Sequence, residues 1–419
     1  MKSLKTIILA AGKGTRFKSE TPKVLHELWG RPVVDYVLDV AEALGSLKTY
    51  VVIGHKAEAV AEAVKDRAES ILQKDQLGTA HAVRCCAPQF RGYRGDVLVM
   101  CGDTPLLDKG IVRSLVSRHR RSKAACTVLT ARIANPHGYG RIIRGVKGEV
   151  LAIREEKDAS PDEKRISEIN VGVYCFEACS LFGSIGAIKK NAKKKEFYLT
   201  DIIELFLAHG RKVETVVTDD WTANLGINTR ADLAMSGAVS REKILKDLMF
   251  AGVTIVDPAT TYIEPGVRIG TDTVIHPCTY IHHGVKIGKD CSVGPFARLR
   301  PGTTLADGVT VGNFVELSRS SLKQGVIMKH FSFLGDAEVG SGTNIGCGTV
   351  TANYDGKHKN KTTIGRRAFI GCDTVLVAPV RIGDGAMAGA GSVIARGRDI
   401  PAGMLAVGVP ARIIKRVNK

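Results

Sequence analysis

Three stretches of the chain hold residues whose types and spacing could do chemistry. The first is Ala10-Ala11-Gly12-Lys13-Gly14-Thr15-Arg16, followed by Pro22-Lys23, directly after the apolar run Leu4–Leu9. A glycine-rich turn after a first strand lets backbone N–H groups close around phosphates. Arg16 and Lys23 add the positive charge a triphosphate needs. The pattern is neither G-x-x-x-x-G-K-[ST] nor G-x-G-x-x-G, and a plain basic turn has the same composition. The second is Asp103, which follows the strand-like run Asp96–Met100 and Cys101-Gly102. Open α/β sheets bind ligands at the carboxyl ends of their strands. A carboxylate there suits Mg2+ bridged to phosphates; a turn-capping role is the plainer alternative. The third is the basic, polar stretch Asn353 to Lys361, which interrupts a regular repeat and suits a sugar phosphate.

Two kinds of element must position these residues. Over the first ~230 residues, strand-like runs (Leu4–Leu9, Tyr50–Ile53, Asp96–Met100) alternate with helical ones such as Ala57–Ala68, which predicts a doubly wound, mainly parallel sheet. The second half repeats in sixes. Ile263, Ile269, Ile275, Ile281, Ile287, Val293, Leu299, Leu305, Val311 and Leu317 are spaced without a miss. After a step of ten the count resumes at Ile327, Phe333, Val339 and Ile345, and again at Ile364, Ile370, Leu376, Ile382, Ala388 and Ile394. Helices repeat at 3.6 residues and strands at 2, whereas a triangular coil with one inward aliphatic residue per face repeats at 6. The pattern predicts a parallel β-helix of hexapeptide repeats.

The chain has 419 residues, so two domains are expected. No apolar run reaches the roughly 20 residues of a membrane helix, and the start lacks a cleavable signal layout. The ten cysteines include no C-x-x-C and are read as reduced, mostly buried thiols. A cytoplasmic protein without metal thiolates or disulfides is expected. The formal net charge of +18 admits nucleic-acid binding, but aromatics are 5% and no basic stripe is interleaved with them. A basic surface with sites for phosphorylated small molecules is the expected reading, with no nucleic-acid or membrane partner. The run Lys189-Lys190 to Lys193-Lys194-Lys195 reads as a solvated loop.

The N-terminal pattern resembles the signature of sugar-1-phosphate nucleotidyltransferases. It extends through Gln76-Leu77-Gly78-Thr79-Ala80-His81-Ala82, Cys101-Gly102-Asp103, Gly138-Tyr139-Gly140-Arg141-Ile142, Glu168-Ile169-Asn170 and Phe197-Tyr198-Leu199-Thr200-Asp201. With the hexapeptide half, the chain from about residue 4 to about residue 410 resembles the bacterial family of bifunctional N-acetylglucosamine-1-phosphate uridylyltransferase/glucosamine-1-phosphate acetyltransferases. The resemblance implies a Rossmann-like nucleotidyltransferase domain over 1–228, a helical connector over 229–251 and a left-handed β-helix over 252–419. It implies that Leu9, Ala10, Ala11, Gly12 and Gln73 contact a uracil nucleotide, and Gly78 and Thr79 its base. Gly102 belongs to the same set of contacts. Lys23 and Arg16 hold phosphates, Asp103 and Asn228 ligate Mg2+, and Gly140, Glu155 and Asn170 hold the sugar. The implied reaction is in-line attack of the sugar 1-phosphate on the α-phosphorus of UTP.

For the second half, the same family match rests on Ala297–Gly302, Val311–Glu316, Leu334–Gly340, Asn344–Gly346 and Thr351–Gly356. It implies that His330 is the general base for acetyl transfer from acetyl-CoA to glucosamine 1-phosphate. Arg300 and Lys359 bind the phosphate, Asn344, Asn353 and Tyr354 complete the contacts, and Cys372 and Ala390 lie along the pantetheine groove. A homotrimer with the acetyl site between subunits is also implied. The chain departs from the family pattern in several places. Ser318 stands where a lysine is usual, and Phe333 where a tyrosine is. Gly408 stands immediately before Val409 where an arginine is expected, and the β-helix looks shorter by one or two coils before Pro295. Neighbouring β residues face opposite ways, so Arg319 is not expected to replace the missing lysine; Phe333, on the six-count, is expected to pack. The alternative readings are a uridylyltransferase, or a nucleotidyltransferase for another sugar phosphate, whose β-helix serves mainly as a trimerising scaffold, and a non-enzymatic binder.

Overall fold

The computed structural model describes residues 2–191, 195–220, 222 and 225–417. Lys193 and Lys194 of the basic run lie outside the described residues. The chain divides into two compact units, residues 1–239 and 240–419, with the division inside the helix Arg230–Phe250.

The first unit is built on a nine-stranded sheet. Its strands are β1 (Leu4–Leu9), β2 (Thr49–Ile53), β3 (Glu69–Leu72), β4 (Asp96–Cys101), β5 (Cys126–Arg132), β6 (Arg141–Arg144), β7 (Val150–Arg154), β8 (Glu168–Glu177) and β9 (Val213–Thr218). The order is β9-β5-β8-β4-β1-β2-β3, with the hairpin β6–β7 joined to β8. Pairing along this path is parallel except at β8, which runs antiparallel to β4 and β5. Val97, Leu98, Val99 and Met100 of β4 are all buried. Such an unbroken apolar run marks a strand covered on both faces, and two hydrophobic clusters flank the sheet. Helices α1 (Val33–Ala43), α2 (Ala57–Val64), α3 (Thr79–Cys85) and α4 (Lys109–Ser122) supply much of that cover. The helix expected to reach Ala68 stops at Val64 and gives way to a turn.

The β1–β4 pairing positions the first site. Because the two strands run in parallel, their carboxyl ends finish side by side: Gly102 N donates to Leu9 O at 2.9 Å. The glycine-rich loop after β1 and the Asp103 turn after β4 therefore emerge next to each other.

The second unit is a stack of short parallel strands. Tyr262 pairs with Tyr280 and Arg268 with Lys286, so each coil takes eighteen residues in three strands. Ile263, Ile275, Ile281, Ile287, Val293, Leu299, Leu305, Val311 and Leu317 are buried in one continuous core. Beyond Leu317 the six-count fails by one residue. The inward positions are Leu322, Met328, Leu334, Val339 and Ile345, so the stack contains steps of five as well as six. Ile327 is exposed and Phe333 only half-buried, while Met328 and Leu334 beside them fill the core. The corresponding coils are seventeen residues long, as the pairs Thr304–Ser321 and Ile327–Asn344 show. The second break is an insertion. Ala337 pairs with Thr362 and Asn344 with Phe369, twenty-five residues on. A hairpin of Met404–Gly408 and Ala411–Arg416 ends the stack.

Candidate active sites

The first unit contains a cleft of about 670 Å³ lined by Leu9, Ala10, Ala11, Gly12, Lys23, Gln73, Gly78, Thr79, Asp103 and Glu155, among others. Several of these are held by contacts behind the surface. Gln73 is buried; its Nε2 donates to Gly78 O at 3.1 Å and lies 3.0 Å from His81 Nδ1. Gly78 has a φ of 104°, and a Cβ there would stand 2.5 Å from Phe197 O, so this turn admits only glycine without displacing the segment beneath it. Thr79 Oγ1 accepts from Leu199 N at 3.0 Å. Glu155 accepts from Thr200 Oγ1 at 3.1 Å.

Lys23 Nζ contacts the Asp103 carboxylate and lies 3.2 Å from Asn228 Oδ1. Asn228 reaches this point because Ile227 N donates to Asp103 O at 2.8 Å, and its own N–H is held by Asp232 at 3.0 Å. A cationic head between a carboxylate and an amide carbonyl marks where a cation is favoured, and two oxygen donors are the type Mg2+ takes. Among the described residues, no group of three or more His, Cys, Asp or Glu could hold a metal ion. Mg2+ in phosphoryl-transfer sites needs only one or two protein ligands, because substrate phosphates and water complete its shell. The residues present therefore fit that ion.

The other expected residues lie around this centre. Gly102 is tied to Leu9 at the strand ends. Gly140 O accepts from Asn170 N at 2.8 Å, which sets the β6–β7 hairpin against β8. Both ends of the Asn170 side chain are used: it donates to Tyr174 OH at 2.7 Å and accepts from Gly172 N at 3.1 Å. Arg16 is exposed on the turn Thr15–Phe17, outside the cleft lining. The lining also includes Gln76, Cys101, Glu196 and Tyr198, which sequence reasoning did not single out. Gln76, Cys101 and Tyr198 lie inside the motifs quoted above, so adjacency was the available signal. Burial pushes the Cys101 thiol up to about 12, which leaves it protonated near neutrality. All ten cysteines are free. Cys86, Cys126, Cys175 and Cys291 are buried, but Cys179, Cys278 and Cys372 are exposed, against the expectation of mostly buried thiols.

In the second unit His330 is exposed on the strand Ile327–Gly335, with Nδ1 3.1 Å from Asn313 Oδ1 one coil away. An amide oxygen only accepts, so in the neutral ring Nδ1 carries the proton and Nε2 the lone pair. A histidine fixed in that tautomer can act as a base through Nε2. His330, Cys347, Cys372 and Ala390 occupy the same corner of successive coils, as the contacts Gly348 N–Phe331 O, Asp373 N–Cys347 O and Gly391 N–Cys372 O show. Cys347 was missed because the insertion hides its relation to Cys372.

Arg300 Nη1 lies 3.1 Å from Glu316 Oε1. Asn344 sits in the two-residue strand paired with Ile327 and Phe369. Tyr354 and Lys359 are exposed and face each other across the insertion, whose first residue, Asn353, is buried. The strict alternation expected around Ser318 does not hold. Arg319 has a φ of 48°, which turns the chain at a corner. Its Nη1 donates to Ser318 Oγ at 2.9 Å, so the guanidinium returns to the position beside the buried serine. Packing in the core falls to Leu334, which corrects the expected packing role of Phe333.

Comparison with known proteins agrees with both halves. Residues 6–167 match the MobA-like NTP transferase domain family, and residues 284–319 the bacterial transferase hexapeptide (six repeats). The bifunctional protein GlmU of Pelobacter propionicus is 44% identical, over 97% of this chain and 96% of its own length. That of Pelotomaculum thermopropionicum is 46% identical over 90% of each, and that of Geobacter sulfurreducens 40% identical over 99% and 98%. Likeness at this level over both units shows that the chain belongs to the family of bifunctional GlmU proteins.

Proposed function

We infer that the protein makes UDP-N-acetylglucosamine in two steps. Acetyl transfer from acetyl-CoA to glucosamine 1-phosphate takes place on the β-helix. Uridylyl transfer from UTP to N-acetylglucosamine 1-phosphate takes place in the α/β unit. The observation that carries this reading is near-full-length identity to bifunctional relatives in a chain with a phosphate-suited cleft in one unit and an oriented histidine in the other.

In the acetyl step, His330 Nε2 takes a proton from the 2-amino group as its nitrogen attacks the thioester carbonyl, and the CoA thiolate leaves. Arg300 and Lys359 attract the sugar phosphate, Asn344, Asn353 and Tyr354 orient the sugar and cofactor, and Cys372 and Ala390 border the pantetheine. In the uridylyl step, the Ala10–Gly14 backbone and Lys23 hold the triphosphate, with Arg16 at the rim. Leu9, Gln73, Gly78, Thr79 and Gly102 seat the nucleotide, and Gly140, Glu155 and Asn170 seat the sugar. The sugar phosphate oxygen then attacks the α-phosphorus in line and pyrophosphate departs. Rate enhancement comes from positioning and charge cancellation rather than a protein nucleophile. Asp103 and Asn228 would hold Mg2+, which when bound neutralises phosphate charge.

A trimer with the acetyl site completed by a neighbouring copy is part of this reading, as is action in the cytoplasm. Among the described residues no helix is long and apolar enough to cross a membrane. The test is CoA release from acetyl-CoA with glucosamine 1-phosphate, beside pyrophosphate release from UTP, Mg2+ and N-acetylglucosamine 1-phosphate. His330→Ala should abolish only the first. CoA release that survives His330→Ala would overturn the assignment of the base.

A further inference from the structure

The insertion that carries Tyr354 and Lys359 is a compact hairpin. Asp355 accepts from Lys357 N at 3.0 Å, His358 N at 2.7 Å and Asn360 Nδ2 at 2.9 Å. Asn360 N donates to Asn353 O at 2.7 Å, and Tyr354 OH to Gly356 O at 2.7 Å. These bonds shape the hairpin but leave open how it is fixed to the coils. Two ion pairs reach it from outside, Lys361–Glu338 at 2.6 Å and Arg396–Asp355 at 3.5 Å. The first is exposed and the second is long, and surface pairs without two-bonded geometry contribute little.

The firmer connection lies at the base. Pro301, Arg319, Asp336 and Asn353 occupy one corner of successive coils: Arg319 N donates to Pro301 O at 3.3 Å and Asp336 N to Ser318 O at 2.9 Å. Arg319 grips Asp336 with both arms, Nε–Oδ1 at 2.6 Å and Nη2–Oδ2 at 2.8 Å. Asn353 Nδ2 donates to Asp336 Oδ2. Two non-glycine residues of this corner, Arg319 and Asp336, have φ values of 48° and 52°. Left-handed backbone at such residues is unfavourable and persists where its surroundings hold it. A fork-shaped, two-bonded Arg–carboxylate pair is among the more directional side-chain contacts, and here its carboxylate is shared with the first residue of the insertion.

We propose that Arg319 and Asp336 are positioning residues for acetyl transfer: they clamp Asn353 and so set where the hairpin presents Tyr354 and Lys359 to glucosamine 1-phosphate. Neither residue touches the substrate in this role. The Asp336 clamp also orients the Asn353 amide, with its nitrogen turned into the protein. This inference rests on the acetyl-transfer reading above, but its first test does not.

The first test is trypsin nicking after Lys357, Lys359 and Lys361, which are exposed in the hairpin. In Asp336→Asn the hairpin should be cut at least fivefold faster than in the unmodified protein, while cleavage elsewhere and the thermal transition stay unchanged. Equal cutting rates would overturn the clamp, whatever the enzyme does. The second test is steady-state acetyl transfer. Asp336→Asn should raise KM for glucosamine 1-phosphate about tenfold and leave KM for acetyl-CoA within twofold. Arg319→Lys, which keeps the charge but loses the fork, should fall between the unmodified protein and Arg319→Gln. Equal rises in both KM values, or none, would contradict a positioning role even where nicking is enhanced. Absence of CoA release from the unmodified protein would instead refute the acetyl-transfer reading while leaving the nicking result interpretable. Uridylyl transfer should be the same in all variants.

Discussion

At the scale of single residues, the account depends on where charge is placed. Lys23, Asp103 and Asn228 meet in one cluster, and Asp103→Ala should lower uridylyl transfer by at least 10²-fold without affecting CoA release. Loss of less than tenfold in pyrophosphate formation would remove Asp103 from the site. Asp201 makes a prediction of a different kind. Burial, followed by Glu204 and Glu155, raises its carboxyl to about 6. A folded-state value above the ordinary one means that the folded protein binds the proton more tightly than the unfolded chain. Stability is therefore lost as pH rises from about 4 through about 6. Asp201→Asn should remove that cost, stabilising the first unit by on the order of 2 kcal/mol at pH 7.5 and little at pH 4. Urea unfolding at the two pH values checks this; equal gains at both would contradict the assignment. Residues of this kind were only partly legible in the sequence. Asp103 stood out because it follows a strand end and Lys23 because it adds charge just beyond the glycine-rich turn, whereas the clamp of Arg319 on Asp336 depends on a left-handed residue that defeats simple alternation.

At the scale of elements, the two halves differed in how openly their sequences showed them. β1, β2 and β4 were legible because mostly buried, largely apolar runs led into glycine-containing turns. The antiparallel β8 was not, since nothing in one strand's composition states which way its neighbours run. In the β-helix the period itself was plain, but the one-residue slip after Leu317 was hidden. Ile327 stands beside Met328 and Phe333 beside Leu334, so either member of each pair satisfies an apolar count. Only the packed interior selects Met328 and Leu334. The tightness of that stack gives a further prediction. A Cβ on Gly312 would stand 1.8 Å from Lys329 O, a backbone atom that cannot swing aside. Gly312→Ala should destabilise the β-helix by about 1–3 kcal/mol and, because Gly312 precedes Asn313, slow acetyl transfer more than uridylyl transfer. Differential scanning calorimetry with both assays would show it; an unchanged transition would mean that adjacent coils yield more easily than the geometry allows.

At the scale of the whole molecule, two chemistries share one chain. The +18 charge suits substrates that are all phosphorylated. The candidate site residues gather about strand ends in one unit and on the coils and their inserted hairpin in the other, so each site should be disabled without the other. The proposed trimer belongs to this scale too: sedimentation equilibrium should give three times the 44.9 kDa chain mass, and a monomer with full acetyl transfer would show that one copy makes a complete site. Sequence repeats could reveal the coil stack but not its association, because association would use outward residues, which carry no period.

The central claim is that the two sites act in series on one sugar. The direct measurement is a single reaction containing glucosamine 1-phosphate, acetyl-CoA, UTP and Mg2+, in which CoA and pyrophosphate are followed together. The account predicts that CoA appears first, that pyrophosphate follows after a lag, and that the two reach equal amounts. His330→Ala should stop both, with pyrophosphate restored when N-acetylglucosamine 1-phosphate is added. Asp103→Ala should release CoA alone. Pyrophosphate formed from glucosamine 1-phosphate by His330→Ala at the unmodified rate would contradict the account, because the uridylyl site would then not require the product of the β-helix.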